Sequence, residues 1–255
     1  MRKTILAPLL FASLFALGGC SIGDSSSPSH FYVLTSIPEG TAPLSFEGEA
    51  PSIGLTRVQI PSFLDRPQIV LNTAANEVVY SEFNRWSEPL AQGIGETVRR
   101  NLLVLVGPGK VSAFPWMQSF PRDYNVQIVI QEFGAYTYLN EVRLRGVYRI
   151  EKLEAKNRDT VFVGEVAYTQ PIAGETQNYE DIVGALSQTL ARLSKDIASE
   201  IQKLESQKAA DGSPEAPAPM TASGSSSAES GSADESSEAA GKGMLQPHFR
   251  STSKE

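Results

Sequence analysis

The chain has 255 residues, with 22 Lys and Arg against 29 Asp and Glu, a formal net charge of −7 and one cysteine. An acidic balance argues against nucleic acid as a partner, because neutralising phosphates takes a basic surface. The lone cysteine has no partner for an intramolecular disulfide, and no apolar run after Leu17 approaches the roughly 20 residues that span a bilayer.

In chain order, Arg2 and Lys3 precede an apolar run from Ile5 to Leu17, broken only by Pro8 and Ser13. A charged start, a short apolar middle and small residues at the end make residues 1–19 an expected export signal, cleaved between Gly19 and Cys20. Leu17-Gly18-Gly19-Cys20 resembles the bacterial lipobox, whose thiol receives a diacylglycerol before cleavage. Cys20 is therefore the expected lipid attachment site, and that covalent lipid is the only prosthetic group expected. Each buried methylene adds about 0.8 kcal/mol, and several chains make attachment effectively permanent. Ser21 follows, where Asp would favour inner-membrane retention in enterobacteria-like sorting, so the expected location is the outer membrane. Residues 20–29, rich in Ser, read as a flexible tether.

The body is expected from 30 to 205. His30 to Leu34 is β-prone, and the stretch to Pro51 reads as a loop. Ser52 to Ile60 reads as a second strand, stopped by the corner Pro61 to Pro67. Gln68 to Leu71 and Glu77 to Tyr80 frame a hairpin. Ser87 is the expected N-cap of a helix with Pro89 in its first turn. Leu90, Ile94, Val98, Leu102 and Leu105 form one apolar stripe, closed by Gly107-Pro108-Gly109. Val111 to Trp116 is a short strand. Tyr124 to Phe133, Val142 to Ile150 and Thr160 to Tyr168 alternate as strands of an antiparallel meander, with a turn at Lys156 to Asp159. Ile182, Leu186, Leu190, Leu193, Ile197, Ile201 and Leu204 predict a long final helix whose stripe must bury against a sheet. The expected fold is a single α/β domain, with α+β as the variant: a mixed, mostly antiparallel sheet packed by two main helices. Residues 206–255 carry too little apolar material to fold and read as a disordered tail. Within it, Met244-Leu245 and Phe249 stand out as a potential docking peptide.

Catalytic chemistry is not indicated. The two histidines, His30 and His248, lie near opposite ends of the mature chain. Neither metal-ligand spacing, a Gly-x-Ser-x-Gly elbow nor a phosphate loop occurs. Glu132, Asp159 and Glu165 are acids on strands or turns, expected to be exposed. No metal is expected, and the protein is expected not to be an enzyme. Arg143, Arg145 and Arg149 share one face of a strand and are candidate contacts for an acidic partner or lipid phosphates. Trp86 is expected in the core, with Tyr136 and Tyr138 as further candidates for an interface.

These pieces, in this order, resemble the ABC-type transport auxiliary lipoproteins of the PqiC/YmbA group. The resemblance rests on the lipobox, on Phe31-Tyr32-Val33-Leu34, and on the strand from Ile53 to Ile60 running into Pro61-Ser62-Phe63-Leu64-Asp65-Arg66-Pro67-Gln68-Ile69-Val70. Arg85-Trp86-Ser87-Glu88-Pro89-Leu90 opening a helix and the helix from Tyr179 to Leu204 complete it. It covers about residues 17–205, and the long tail departs from the compact family pattern. The resemblance implies a compact α/β fold and a periplasm-facing envelope lipoprotein. It also implies an MCE-domain protein and a multi-pass inner-membrane component as partners, often with an ATPase. Homo-oligomers are plausible, the cargo is lipid or another hydrophobic molecule, and the purpose is envelope integrity. Two other classes stay open: a stand-alone periplasmic carrier of lipid or hydrophobic ligand, and a structural envelope lipoprotein.

Overall fold

Strand β6, Tyr124–Tyr136, is the axis of the molecule in the computed structural model, which describes residues 27–211 apart from 118, 155–156 and 175–177. One edge of β6 pairs along its length with β7, Glu141–Glu154, which pairs in turn with β8, Asn157–Pro171. These three strands are the expected antiparallel meander. The other edge of β6 is shared. Its first residues pair in parallel with β2, Ile53–Leu55, which is flanked by β5, Val111–Ala113. Its last residues pair in parallel with β3, Gln68–Ala74. Beyond β3 lie β4, Glu77–Trp86, and β1, His30–Tyr32. The result is one mixed eight-stranded sheet, antiparallel in its long ladders and parallel in its short ones.

Two helices supply the packing partner. Helix α1 runs from Leu90 to Val106 and α2 from Tyr179 to Asp211. Leu90, Ile94, Val98, Leu102 and Leu105 of α1 are buried, as are Ile182, Leu186, Leu190, Leu193, Ile197 and Ile201 of α2. Both apolar stripes therefore face inward. α2 packs on β6, β7 and β8, and α1 packs on α2 and β5. The described residues belong to one compact unit. None of their helices is long and apolar enough to cross a membrane.

Asn101 is fully buried between the helices. Its Oδ1 accepts from the Ile37 N–H at 2.8 Å and its Nδ2 donates to Ser194 Oγ at 3.1 Å. This one amide joins α1, α2 and the segment after β1. Asn101→Ala leaves the half-buried Ile37 N–H without its acceptor and removes the link to Ser194, so it is expected to cost about 1–3 kcal/mol, read as a lower urea midpoint with an unchanged m-value.

Several boundaries differ from expectation, each for a local reason. The strand expected over Ser52 to Ile60 is regular only at Ile53–Leu55. Past it the Thr56 N–H still donates to the Val126 carbonyl at 2.9 Å, and the chain then leaves β6 at Arg57 and Val58 before a bridge from Gln59 to Val129. Ser87 does not cap α1. Its N–H donates to the Tyr32 carbonyl at 3.0 Å, extending the β1–β4 ladder, and the cap position falls to Pro89, with no side-chain cap hydrogen bond. The hairpin strands β3 and β4 are longer than expected and meet at Ala74–Glu77. Asn157, Arg158 and Asp159 belong to β8 rather than to a turn, since Glu154 pairs with Asn157. α2 continues to Asp211, through residues expected in the tail. Extending an existing helix adds one hydrogen bond per residue fixed, and Gln207, Lys208 and Ala209 are good helix formers.

Candidate functional site

Cys20 and Gly19, the tether up to residue 26, and Met244, Leu245 and Phe249 lie outside the described residues. The arginine triplet lies within them. On β7, Val142, Leu144, Gly146, Tyr148 and Ile150 are buried toward the helices, which turns Arg143, Arg145, Val147 and Arg149 to the open face of the sheet. Arg143, Arg145 and Arg149 therefore do share one face, as the period of two demands.

A bulge in β6 furnishes this face. Up to Ile130 the even-numbered residues of β6 are buried, and the ladder then slips between Ile130 and Glu132. From there Phe133 and Ala135 are buried instead, and Glu132 and Tyr136 turn outward. A bulge inserts one unpaired residue and so reverses the facing of everything after it. Gly146 of β7 lies opposite, where a Cβ would come within 2.6 Å of the Val129 carbonyl oxygen, so only glycine fits.

The reversal places Glu132 across from Arg145, at 3.9 Å, and Tyr136 beneath Arg143, whose guanidinium stacks over the ring at 4.4 Å. Arg143 also pairs with Glu141 at 2.6 Å. Tyr138 lies against Tyr136 with ring centroids 6.2 Å apart. Burial, and then the Glu132 carboxylate, push the Tyr136 phenol up to about 12. Glu132 is half-buried rather than exposed, because the bulge folds it under Arg145. Glu165 is exposed as expected. Arg149 is exposed and has no ion pair among the described residues. The triplet thus divides: Arg143 and Arg145 are partly neutralised on the molecule, whereas Arg149 has no ion pair among the described residues.

Elsewhere the tyrosines clasp α2 to the sheet. Tyr124 donates to Glu205 at 2.6 Å and Tyr168 to Asp196. Both phenols are shifted up, first by burial and then by those carboxylates, and burial pushes Tyr148 up to about 12. A phenol that stays protonated in the fold but ionises near pH 10 when unfolded stabilises the fold fully below pH 10. That stabilisation is lost as pH rises toward 12. Alkaline titration is therefore expected to lower the melting temperature steadily from pH 10 to pH 12, and Tyr148→Phe should flatten that slope.

Trp86 is buried, as expected. A surface groove of about 650 Å³ lies beside α1. Its walls are Val58 and Arg57 on one side, Ala91, Gln92 and Gly95 of α1 on the other, and Phe114 at one end. Arg57 stacks over the Phe114 ring at 5.2 Å. The sequence held no sign of the groove, because Ser52 to Ile60 reads as one continuous strand and the chain instead leaves β6 at Arg57 and Val58, which form that wall. Among the described residues no cluster of His, Cys, Asp and Glu is suited to a metal.

Comparison with known proteins gives the fold an ancestry. A family described as the ABC-type transport auxiliary lipoprotein component matches residues 32–198. No curated protein matches the chain. Among solved structures, protein XCC0632 from Xanthomonas campestris superposes with a TM-score of 0.57 at 12% identity, covering 72% of this chain and 99% of its own. An uncharacterized protein gives 0.53 at 18% identity, covering 68% and 99%. A PelC dodecamer from Paraburkholderia phytofirmans gives 0.37 at 12% identity, covering 64% and 94%, too slight a likeness to argue from. The match spans β1 to most of α2 and so takes in nearly the whole folded body, which places this chain in the family of ABC-type transport auxiliary lipoprotein components.

Proposed function

We propose that this protein is the envelope-anchored accessory subunit of an MCE-type intermembrane lipid-transport system. The observation that carries the reading is the family match across residues 32–198. In this reading residues 1–19 are a cleaved signal. Cys20 carries the lipid and sits in the outer membrane, residues 20–29 are the tether, and the body from 30 to 205 faces the periplasm. Residues 206 to 255 are the low-complexity tail that follows it. An MCE-domain protein and a multi-pass inner-membrane component are the partners. The sequence holds no nucleotide motif, so a partner supplies the energy.

The subunit contributes location. Tethering confines a docking surface near the membrane and raises its effective concentration for partners in the same envelope. The open face around Arg143, Arg145 and Arg149 supports docking to an acidic surface, with Arg149 unpaired among the described residues. A photoreactive residue at position 149 of the full-length lipoprotein is expected to capture an MCE-domain protein in cells. Capture of cell-wall components alone would overturn the reading.

The groove beside α1 favours one other reading, a carrier that holds hydrophobic ligand itself. About 650 Å³ lies within the range of ligand sites. Native mass spectrometry separates the two. Purified protein carrying stoichiometric phospholipid would favour the carrier, and ligand-free protein that still captures its partner favours docking.

A further inference from the structure

One end of the sheet carries an apolar cluster that the docking reading does not use. Val78, Val79 and Tyr80 are consecutive on β4, just after the turn of the β3–β4 hairpin, and all are exposed. Tyr138 and Leu139 lie in the short 3-10 turn between β6 and β7. These five side chains are 40–45% exposed. The two segments are neighbours: Asn72 pairs with Val78 on one side and Tyr136 on the other, and Thr137 Oγ1 donates to the Asn72 carbonyl at 3.2 Å. Successive residues of a strand point to opposite faces, so a run of three exposed apolar residues means that the hairpin projects past the core.

The direction of the chain identifies what covers it. β1 is parallel to β4, with Tyr32, Phe31 and His30 level with Trp86, Arg85 and Asn84. Followed backward from Tyr32, the chain therefore heads along β4 toward Glu77 and the hairpin tip. Arg85 lies level with Gln68, about 20 Å from that tip along β3 at ~3.3 Å per residue. The segment from His30 back to Cys20 reaches at most about 36 Å. A tether of that reach lets an anchor at Cys20 bring this end of the sheet to the membrane. Tyr80 and Tyr138 are the amphipathic aromatics favoured at a lipid–water boundary. Arg66, stacked over Tyr80 at 3.9 Å, adds a cation at that level.

We propose that the β3–β4 hairpin tip, with the Tyr138–Leu139 turn, is a second membrane contact that inserts into the phospholipid surface beside the lipidated cysteine. It fixes the body's orientation, leaving the face around Arg149 at right angles to the bilayer and open to a partner. The proposal rests on anchoring at Cys20.

The test uses the full-length acylated protein in vesicles of phosphatidylethanolamine and phosphatidylglycerol. Val79→Cys is labelled with an environment-sensitive dye, and Val163→Cys, on the open face of β8 at the other end of the sheet, is the control. Vesicle flotation reports the anchor, and spin-labelled lipid reports contact. The expected result is flotation of both proteins, with a blue shift and loss of emission at position 79 only. Flotation without quenching at 79 overturns the proposal and leaves the anchor standing. Protection at 79 that grows with protein density but resists lipid quenching means a second copy covers the tip, and also overturns it. Failure to float removes the anchor, and the proposal with it.

Discussion

Leu193→Asp is expected to lower the melting temperature by roughly 10–20 °C, on the scale of severe core substitutions in a domain of this size. Leu193 has no exposed surface and stands at the middle of the α2 stripe. The substitution removes a buried isobutyl group, worth about 1.5–3 kcal/mol. It also places a carboxylate where the neighbours are Leu190, Ile197 and the inner sheet face. A lone carboxylate in such surroundings takes up a proton or pulls water inward, and either way the packing is lost. Circular dichroism melting of the folded body checks this. An unchanged melting temperature would mean that α2 does not pack on the sheet. Ser194→Ala, one residue on, removes the hydrogen bonds to Asn101 and to the Leu190 carbonyl but buries no charge, and should cost less.

Cys20→Ala is expected to move the protein from the membrane fraction to the soluble periplasmic fraction, or to leave it unprocessed with its signal attached. The thiol is the only group in the chain that can receive the diacylglycerol, since the sequence holds no other cysteine. Without acyl chains, the hairpin tip alone has too little apolar surface for stable binding, because even one acyl chain holds only marginally. The effect on transport should be large although nothing in the folded body changes. Metabolic labelling with a radioactive fatty acid reads the attachment directly. Continued labelling of the alanine variant would refute the lipobox.

The helices were legible because an apolar stripe repeated every three or four residues has one physical solution. The stripes from Leu90 to Leu105 and from Ile182 to Ile201 bury as their spacing demands. The meander was legible for the same reason, since Val142 to Ile150 alternates without a break. Departures arose where pairing, which is not local, decides the outcome. Nothing in Ile130-Gln131-Glu132 announces that β6 slips by one residue, yet that slip turns Glu132 and Tyr136 to the arginine face. Likewise, the parallel pairing of β1 with β4 and of β2 with β6 joins segments far apart in sequence, which periodicity cannot report. The arginine triplet was visible as a shared face. That two of its members are partly neutralised by Glu141 and Glu132, and one is not, came only from the register.

The three-residue ladder of β1 has a mechanical consequence. Tension on the chain ahead of His30 runs along β1 and β4, which are parallel, so their hydrogen bonds are loaded side by side in shear rather than peeled singly. Behind β1 the load meets buried Leu34, then the Thr35 N–H on Ser187 Oγ and the Ile37 N–H on Asn101. A pull from the membrane is thus delivered to α1 and α2. Strands β7 and β8 meet that load only indirectly, through the side of α2 that packs on them and the Tyr168–Asp196 hydrogen bond.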